Sequence, residues 1–573
     1  MAAQPINTKI QDLVYNVDSG FGLRLVKVVL YILFIAFVVL LFTANQFRGL
    51  REAEAMEYAQ LGRNWMVHRQ YVTQNVRPAS IGYLVRKTGV RNPPVHGHPD
   101  LIHAPLYPTL LGVWFRVTGA RFDGAPQGPL QIYQPEYRIM LLNHLFAILT
   151  GVLLFVAAGR LFDGRIALLG TTVYFLSDLV WRESLAGTGV TIAAFWAMGA
   201  FYAMILAVAR IEEEPERSRR WILPALVAVV CCVLAFLTRY SAAVLVPGLA
   251  LWLGWSLGRR RWMWSLVFVG VFLVGISPWL VRNIMICGSP LGLAPYLALT
   301  DSSLFIDNAF ERTLHPELGG LFRALQIKLL ENLGNLYQIS LRTIGEGLLV
   351  AIFLTTFLYR FVRRPIHTLR WGLALSILLL LPVGALYGEG TFRVVLMFWP
   401  LIILYGLSFF FLLLERLQLQ LRFLNLSVTG LVIFLSAAPL ILTLMPPRAR
   451  PPYPPYAPGL ISYVSNLLEP HEVMCTDMPW ATAWYGGRTS VLLPYNLDQF
   501  YEINDYMQRF SGMYLTHVTR DLPYARILRR APAYASWFPI QEGRLPRDFP
   551  LSQGIPLLEM EQLFLSDRPR WQE

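Results

Sequence analysis

The chain is short of charge. Lys, Arg, Asp and Glu make up 15% of its 573 residues, where a soluble domain carries about 25%. With 55% hydrophobic residues and a mean hydropathy of +0.46, that shortage excludes an ordinary soluble protein. Cysteine is scarce as well. Of the four, Cys231 and Cys232 fall inside an apolar block and read as core residues. Cys287 and Cys475 fall in segments expected outside the membrane, where a bridge between them stays open on weak evidence. No internal repeat is apparent. A cleavable leader is not expected either. The first 21 residues are polar, and the first apolar block, 22–44, is too long for a signal h-region and reads as an anchor.

Apolar blocks long enough to cross a roughly 30 Å hydrocarbon core recur along the first three quarters of the chain. Spans are expected at about 22–44, 138–159, 166–182, 189–209, 222–238, 241–257, 263–281, 344–360, 370–387, 394–414 and 424–445. Threaded alternately, about eleven spans put every short basic connection on the side of the N-terminus, with Lys9, Arg24 and Lys27. That places the N-terminus in the cytoplasm of a multi-pass inner (plasma) membrane protein. The net charge of +13 is thereby explained by topology, and a nucleic-acid partner is rejected. Two long loops, 45–137 and 282–342, and the C-terminal segment fall on the far side. Residues 446–458 carry proline at a density that makes a stiff linker. The expected organisation is a membrane domain over 1–445, the linker, and a small α/β extracytoplasmic domain over 459–573, with Thr489–Leu493 a candidate strand.

Chemistry gathers on the first loop. Residues 52–66 have helical spacing: Ala55, Tyr58, Ala59, Gly62, Trp65 and Met66 share one face, and Glu54 and Glu57 another. This predicts a helix lying in the membrane interface, with a second short one over 104–118. Glu52, Glu54 and Glu57 are candidate bases, and Arg63, Arg77, Arg86, Lys87 and Arg91 candidate phosphate ligands. The bland alternatives are a solvated helix face and attraction to anionic lipid heads. His96, His98, Asp100 and His103 have metal-ligand chemistry, but their spacing fixes no tetrahedral site. No cofactor follows, and a divalent metal ion stays an open alternative. Arg239, Arg282 and Arg393 end or begin spans on the loop side. Each is a snorkelling residue, or together they form an electropositive bowl for a lipid phosphate. A transporter would place ionisable residues deep in its spans; His144 is the main instance here, and inverted halves are not apparent.

These residues resemble a known family. Glu54-Ala55-Met56-Glu57-Tyr58-Ala59-Gln60-Leu61-Gly62-Arg63-Asn64 is similar to the Asp-x-x-x-Tyr-Ala-x-x-x-Arg stretch of the GT-C superfamily, which includes protein O-mannosyltransferases and the lipid A aminoarabinose transferase. His103-Ala104-Pro105-Leu106-Tyr107-Pro108 looks like a later element of the same loop. Leu237-Thr238-Arg239-Tyr240, Pro278-Trp279-Leu280-Val281-Arg282-Asn283, Phe392-Arg393 and Asp477-Met478-Pro479-Trp480 also resemble recurring stretches. The resemblance implies a mainly α, polytopic GT-C fold with a polyprenyl-phosphate-linked sugar as donor, transferred with inversion. The acceptor would be a lipid, glycan or protein reached among membrane lipids. It implies Glu54 as base or acceptor-positioning acid with Glu57 behind it, Arg63, Arg239, Arg282 and Arg393 as phosphate or head-group ligands, and Tyr58 and Tyr107 as packing residues. His103 falls where some members have a metal-binding Glu. The sequence departs from the pattern twice. Glu54 stands where the family has Asp, and 187–191, where a second acid is expected, reads Gly-Thr-Gly-Val-Thr. Asp178 and Glu183 are the nearest acids. A non-catalytic scaffold of the same fold is the rival reading.

Overall fold

A computed structural model describes residues 21–90, 93–123, 131–213, 219–258, 261–306, 308–344, 347–388, 393–417, 422–445, 456–520, 534–557 and 562–571. Most of the expected linker (446–455) lies outside the described residues, as do Lys9, Arg91 and Phe392. Among the described residues, eight helices are long and apolar enough to cross a membrane. They are Leu25–Gln46, Gln134–Leu161, Val190–Glu213, Arg219–Thr238, Trp262–Cys287, Arg364–Tyr387, Trp399–Arg416 and Leu426–Leu444.

The other three expected spans are apolar but shorter or broken. The third divides into Gly164–Phe175 and Asp178–Ala186 at Ser177, whose backbone is extended. The break is satisfied internally: Trp181 Nε1 donates to the Phe175 carbonyl at 2.7 Å, and Trp399 Nε1 to Ser177 Oγ at 3.0 Å. Non-helical backbone at this depth survives only when its polar groups find such partners. The sixth begins as a 3₁₀ turn, Tyr240–Val244, before Leu245–Ser256, because Arg239 is extended. The eighth runs only Gly347–Thr355 before a 3₁₀ turn.

A single apolar core runs through the bundle, from Phe42 and Leu154 to Trp252 and Trp399. At one end of the bundle lie basic groups: Arg363 donates to the Leu161 carbonyl and Arg364 to that of Trp255. At the other end the two long loops and the C-terminal segment form one layer. Loop one contributes β1 (Val72–Thr73), β2 (Asn75–Val76) and β3 (His98–Pro99), and the C-terminal segment contributes β4 (Val473–Thr476), β5 (Ser490–Leu492), β6 (Phe510–Leu515), β7 (Gln553–Leu557) and β8 (Gln562–Ser566). Six of these make one mixed sheet in the order β2-β5-β4-β6-β8-β7. Its edge strand β2 therefore comes from loop one and pairs parallel with β5, Asn75 opposite Ser490. One hydrophobic core joins Val76, Ala79 and Ile81 of loop one, Phe310 and Leu314 of loop two, and Val473, Val491 and Trp537 of the C-terminal segment. Cys287 and Cys475 are both free thiols. They are buried in separate clusters, which leaves the bridge unformed.

Candidate active site

The site is built on the first helix of loop one, Ala53–His68. It starts where Glu52 is extended and carries Glu54 in its first turn, where a carboxylate complements the helix dipole. It packs against Leu106–Val117 at a glycine crossing. A Cβ on Gly62 would stand 2.9 Å from Leu111 Cβ, and one on Gly112 would stand 2.8 Å from the Gly62 carbonyl oxygen. Only glycine lets these backbones approach so closely. Tyr58 meets the rings of His103 and Tyr107 edge-on, at 4.8 and 5.1 Å. The Tyr107 hydroxyl donates to the Gly187 carbonyl at 2.7 Å and accepts from Asn143. Tyr58 thus packs the loop helices together, and Tyr107 ties them to the bundle.

Between this helix and the membrane bundle lies a cavity of about 530 Å³. Glu54, Glu57, Tyr58, Arg77, His103 and Arg239 line its ionic part. Val244, Leu291, Leu297 and Val383 line an apolar part, and Trp480 reaches it from the C-terminal segment. Arg239 is buried, with its guanidinium 3.0 Å from the Glu54 carboxylate. Its other arm donates to the Thr188 carbonyl at 2.7 Å. Thr188 stands between Gly187 and Gly189, both in the left-handed region at φ +72° and +75°. The turn that lacks the expected second acid therefore presents a carbonyl to the same arginine. Burial alone would lower the affinity of Arg239 for its proton, but Glu54, Tyr58 and Glu183 together outweigh it and raise that affinity.

Glu57 and His103 form a second, closed network. The Glu57 carboxylate lies 2.6 Å from Arg77 and 2.9 Å from His103 Nε2, and accepts from Asn75 Nδ2 at 2.9 Å. His103 Nδ1 lies 2.9 Å from Asp100, and Arg77 also bonds Glu311 of loop two at 2.5 Å. Burial opposes the charge on Glu57, yet Arg77 and His103 outweigh it and hold the carboxyl down at about 2. Burial likewise opposes the charge on His103, but Asp100 and Glu57 raise it to about 10. Both Glu57 carboxylate oxygens are thus engaged, one by Arg77 and Asn75 and the other by His103.

The arginines expected as phosphate or head-group ligands are dispersed. Arg63 lies away from the cavity, donating to the Trp484 and Ala483 carbonyls at 2.9 and 2.6 Å and to Gln74 at 2.6 Å. Arg282 bonds the Asp100 carbonyl at 3.0 Å and packs on Trp279, so it supports the turn that carries His103. Arg393 pairs with Glu52 at 2.9 Å and lies 3.9 Å from Glu183, in a separate cavity of about 390 Å³. Glu183 is buried.

A metal fits this loop poorly. His98 bonds Ser80 and the Pro94 carbonyl, and His96 bonds the His471 carbonyl and Thr489. His103 is held between two carboxylates, and among the described residues no three His, Cys, Asp or Glu side chains stand close enough to hold an ion. Sequence reasoning missed Glu311 and Trp480 as cavity walls. Glu311 carries no local signal, and Trp480 stood out only within the Asp477–Trp480 stretch; each reaches the site through the packing of distant segments.

A family model described as dolichyl-phosphate-mannose-protein mannosyltransferase matches residues 132–281. No curated protein sequence matches the chain. Among solved structures, the chain is similar to the Archaeoglobus fulgidus oligosaccharyltransferase AglB in complex with an inhibitory peptide and a dolichol-phosphate, at 11% identity and a TM-score of 0.57, over 88% of this chain and 71% of that one. It is also similar to ArnT from Cupriavidus metallidurans bound to undecaprenyl phosphate, at 11% identity and a TM-score of 0.56, over 94% and 98% of the two chains. The Archaeoglobus fulgidus oligosaccharyltransferase with zinc and sulfate matches at 12% identity and a TM-score of 0.56, over 87% and 69%. The chain thus shares the fold of these solved structures, a polytopic bundle of membrane-length helices. Its fold is the GT-C fold, with a small sheet-bearing C-terminal layer.

Proposed function

We propose that this chain is an integral-membrane glycosyltransferase that moves a sugar from a polyprenyl phosphate to an acceptor hydroxyl on the non-cytoplasmic face of the plasma membrane. The reading rests on the Arg239–Glu54 ion pair, at 3.0 Å, in a cavity with a membrane-side apolar wall. The dolichol-phosphate and undecaprenyl phosphate in the two similar structures support the donor class. The acceptor is a lipid, a glycan or a protein. The organisation proposed with it is a membrane domain to residue 445 and an extracytoplasmic C-terminal domain from 459.

The pair itself suggests the chemistry. A guanidinium favours a phosphate, which it can grip with two donors. When the donor phosphate takes Arg239, the Glu54 carboxylate loses its partner and is free to turn to the acceptor. Glu54 then accepts the proton of the acceptor hydroxyl as the oxygen attacks the anomeric carbon. The new C–O bond forms, the bond from that carbon to the phosphate oxygen breaks, and polyprenyl phosphate leaves with its electrons. Arg239 stabilises the charge gathering on that phosphate. No acid is needed for departure, unlike glycoside hydrolysis. Glu57, His103 and Arg77 keep the helix in place, and Arg393 serves the neighbouring cavity.

The test uses purified protein in lipid nanodiscs, a panel of radiolabelled polyprenyl-phosphate sugars and an acceptor extract. Release of polyprenyl phosphate that disappears in Glu54→Gln supports both the activity and the base. Release that persists in the variant moves the base elsewhere. No release from any donor by folded protein overturns the reading.

A further inference from the structure

One wall of the cavity comes from far away in the sequence. Among the described residues, Trp480 is the C-terminal segment's contribution to the lining. It sits in the first turn of the short helix Pro479–Gly486 and is half-buried. The helix is clamped at several points. Arg63 bonds the carbonyls of Ala483 and Trp484. Glu136 accepts from Trp484 Nε1 at 3.1 Å and from the Tyr485 hydroxyl at 2.8 Å. Trp480 Nε1 donates to the Tyr456 hydroxyl at 3.0 Å.

That last bond matters for recognition. The indole has one polar atom, and Tyr456 occupies it. What Trp480 offers the cavity is carbon surface, fixed in place, in a chamber whose other walls include Glu54, Arg239 and His103. Such a chamber has two needs. Its ionic side calls for hydroxyls and phosphate, and its aromatic wall calls for a flat apolar patch. A sugar ring carries both, with hydroxyls around its rim and C–H bonds on its face. An aromatic ring held rigid contributes contact at little entropic cost.

We propose that Trp480 is a carbohydrate platform, against whose indole the C–H face of a sugar ring in the cavity rests. This rests on the glycosyltransferase reading and makes the C-terminal domain a determinant of substrate choice. The ring belongs to the donor or to a glycan acceptor, and the chemistry is the same.

The experiment compares wild type, Trp480→Phe and Trp480→Leu in nanodiscs, each checked for an unchanged unfolding temperature. If the donor ring is the ligand, Trp480→Leu raises the KM for polyprenyl-phosphate sugar about tenfold. Binding of sugar-free polyprenyl phosphate stays unchanged, and Trp480→Phe recovers most of the loss. If the acceptor ring is the ligand, the acceptor KM rises instead. Equal KM values in wild type and Trp480→Leu, or an equal loss of sugar-free lipid binding, overturn the proposal. A parallel arm needs no turnover: saturation-transfer NMR with methyl mannoside, glucoside and galactoside. Contact signals present in wild type and absent in Trp480→Leu uphold the platform even if no donor reacts. Signals that are absent from wild type, or that persist in Trp480→Leu, overturn it.

Discussion

Arg239 and Glu54, 185 residues apart in sequence, meet as an ion pair at 3.0 Å. The arginine is buried, whereas the glutamate side chain keeps 35% of its exposure. The cation is thus fixed and the carboxylate has room to move. Glu54→Gln and Arg239→Gln should each lower polyprenyl-phosphate release by about 10²- to 10⁴-fold. The two act as a unit, so the double variant should lose little more than the worse single one. Fully multiplicative losses would show that they act separately.

The Glu57–His103 network predicts how stability varies with pH. His103 is raised from 6.5 to about 10, so its contribution is fully present below pH 6.5 and is lost as the pH climbs towards 10. Glu57 is lowered from 4.5 to about 2, so its contribution is present above pH 4.5 and is lost as the pH falls towards 2. The unfolding temperature in nanodiscs should therefore fall on the alkaline side. His103→Gln should lower it at neutral pH and flatten that alkaline fall. An unchanged alkaline slope in the variant would dissociate His103 from it.

Arg63 predicts how the C-terminal domain is held. Arg63→Ala leaves the Ala483 and Trp484 carbonyls and Gln74 without this donor. Hydrogen bonds from a charged group contribute about 1.5–3 kcal/mol each, so with three lost local stability should drop by roughly 4.5 kcal/mol or more. Hydrogen exchange should accelerate over 479–492 and over β2, with the membrane bundle unaffected. Exchange that stays at the wild-type rate would mean that other contacts hold the domain.

The glycine crossing offers a packing test. A Cβ at Gly112 would stand 2.6 Å from the Trp65 ring, so Gly112→Ala should force the loop helices apart and cost about 1–3 kcal/mol. Gly159→Ala, with nothing within 4 Å, is the matched control and should be neutral or slightly stabilising. Thermal unfolding of both variants, with donor turnover, checks this.

Eight of the eleven expected spans were legible because hydrophobic runs of membrane length are a local signal, and the helix over 52–66 because apolar residues repeat at helical spacing. The turn at Arg239 was legible too, as the gap between two expected spans, but the break at Ser177 was not. Ser177 adopts extended backbone inside an apolar stretch, where Trp399 engages its hydroxyl. Hydropathy does not register such a pairing. Glu54 and Arg239 were both singled out, but their contact was not foreseeable from two positions 185 residues apart. Arg63 illustrates the opposite failure. Its place beside the acids suggested phosphate, whereas its partners are backbone carbonyls 420 and 421 residues downstream. Spacing within one loop carries no trace of a strand and a helix arriving from the other end of the chain.

That separation has a consequence in time. Arg63 and the Trp484 carbonyl are 421 residues apart. At a synthesis rate of roughly 5–20 residues per second, about 20–80 s pass between the making of the one and of the other. Throughout that interval the helix that caps the arginine of loop one, and the strand that pairs with its edge, do not yet exist. The segment bearing Glu54 is thus among the first to be made and the last to be locked. A chain halted before its final hundred or so residues would insert normally and still expose an unfinished cavity.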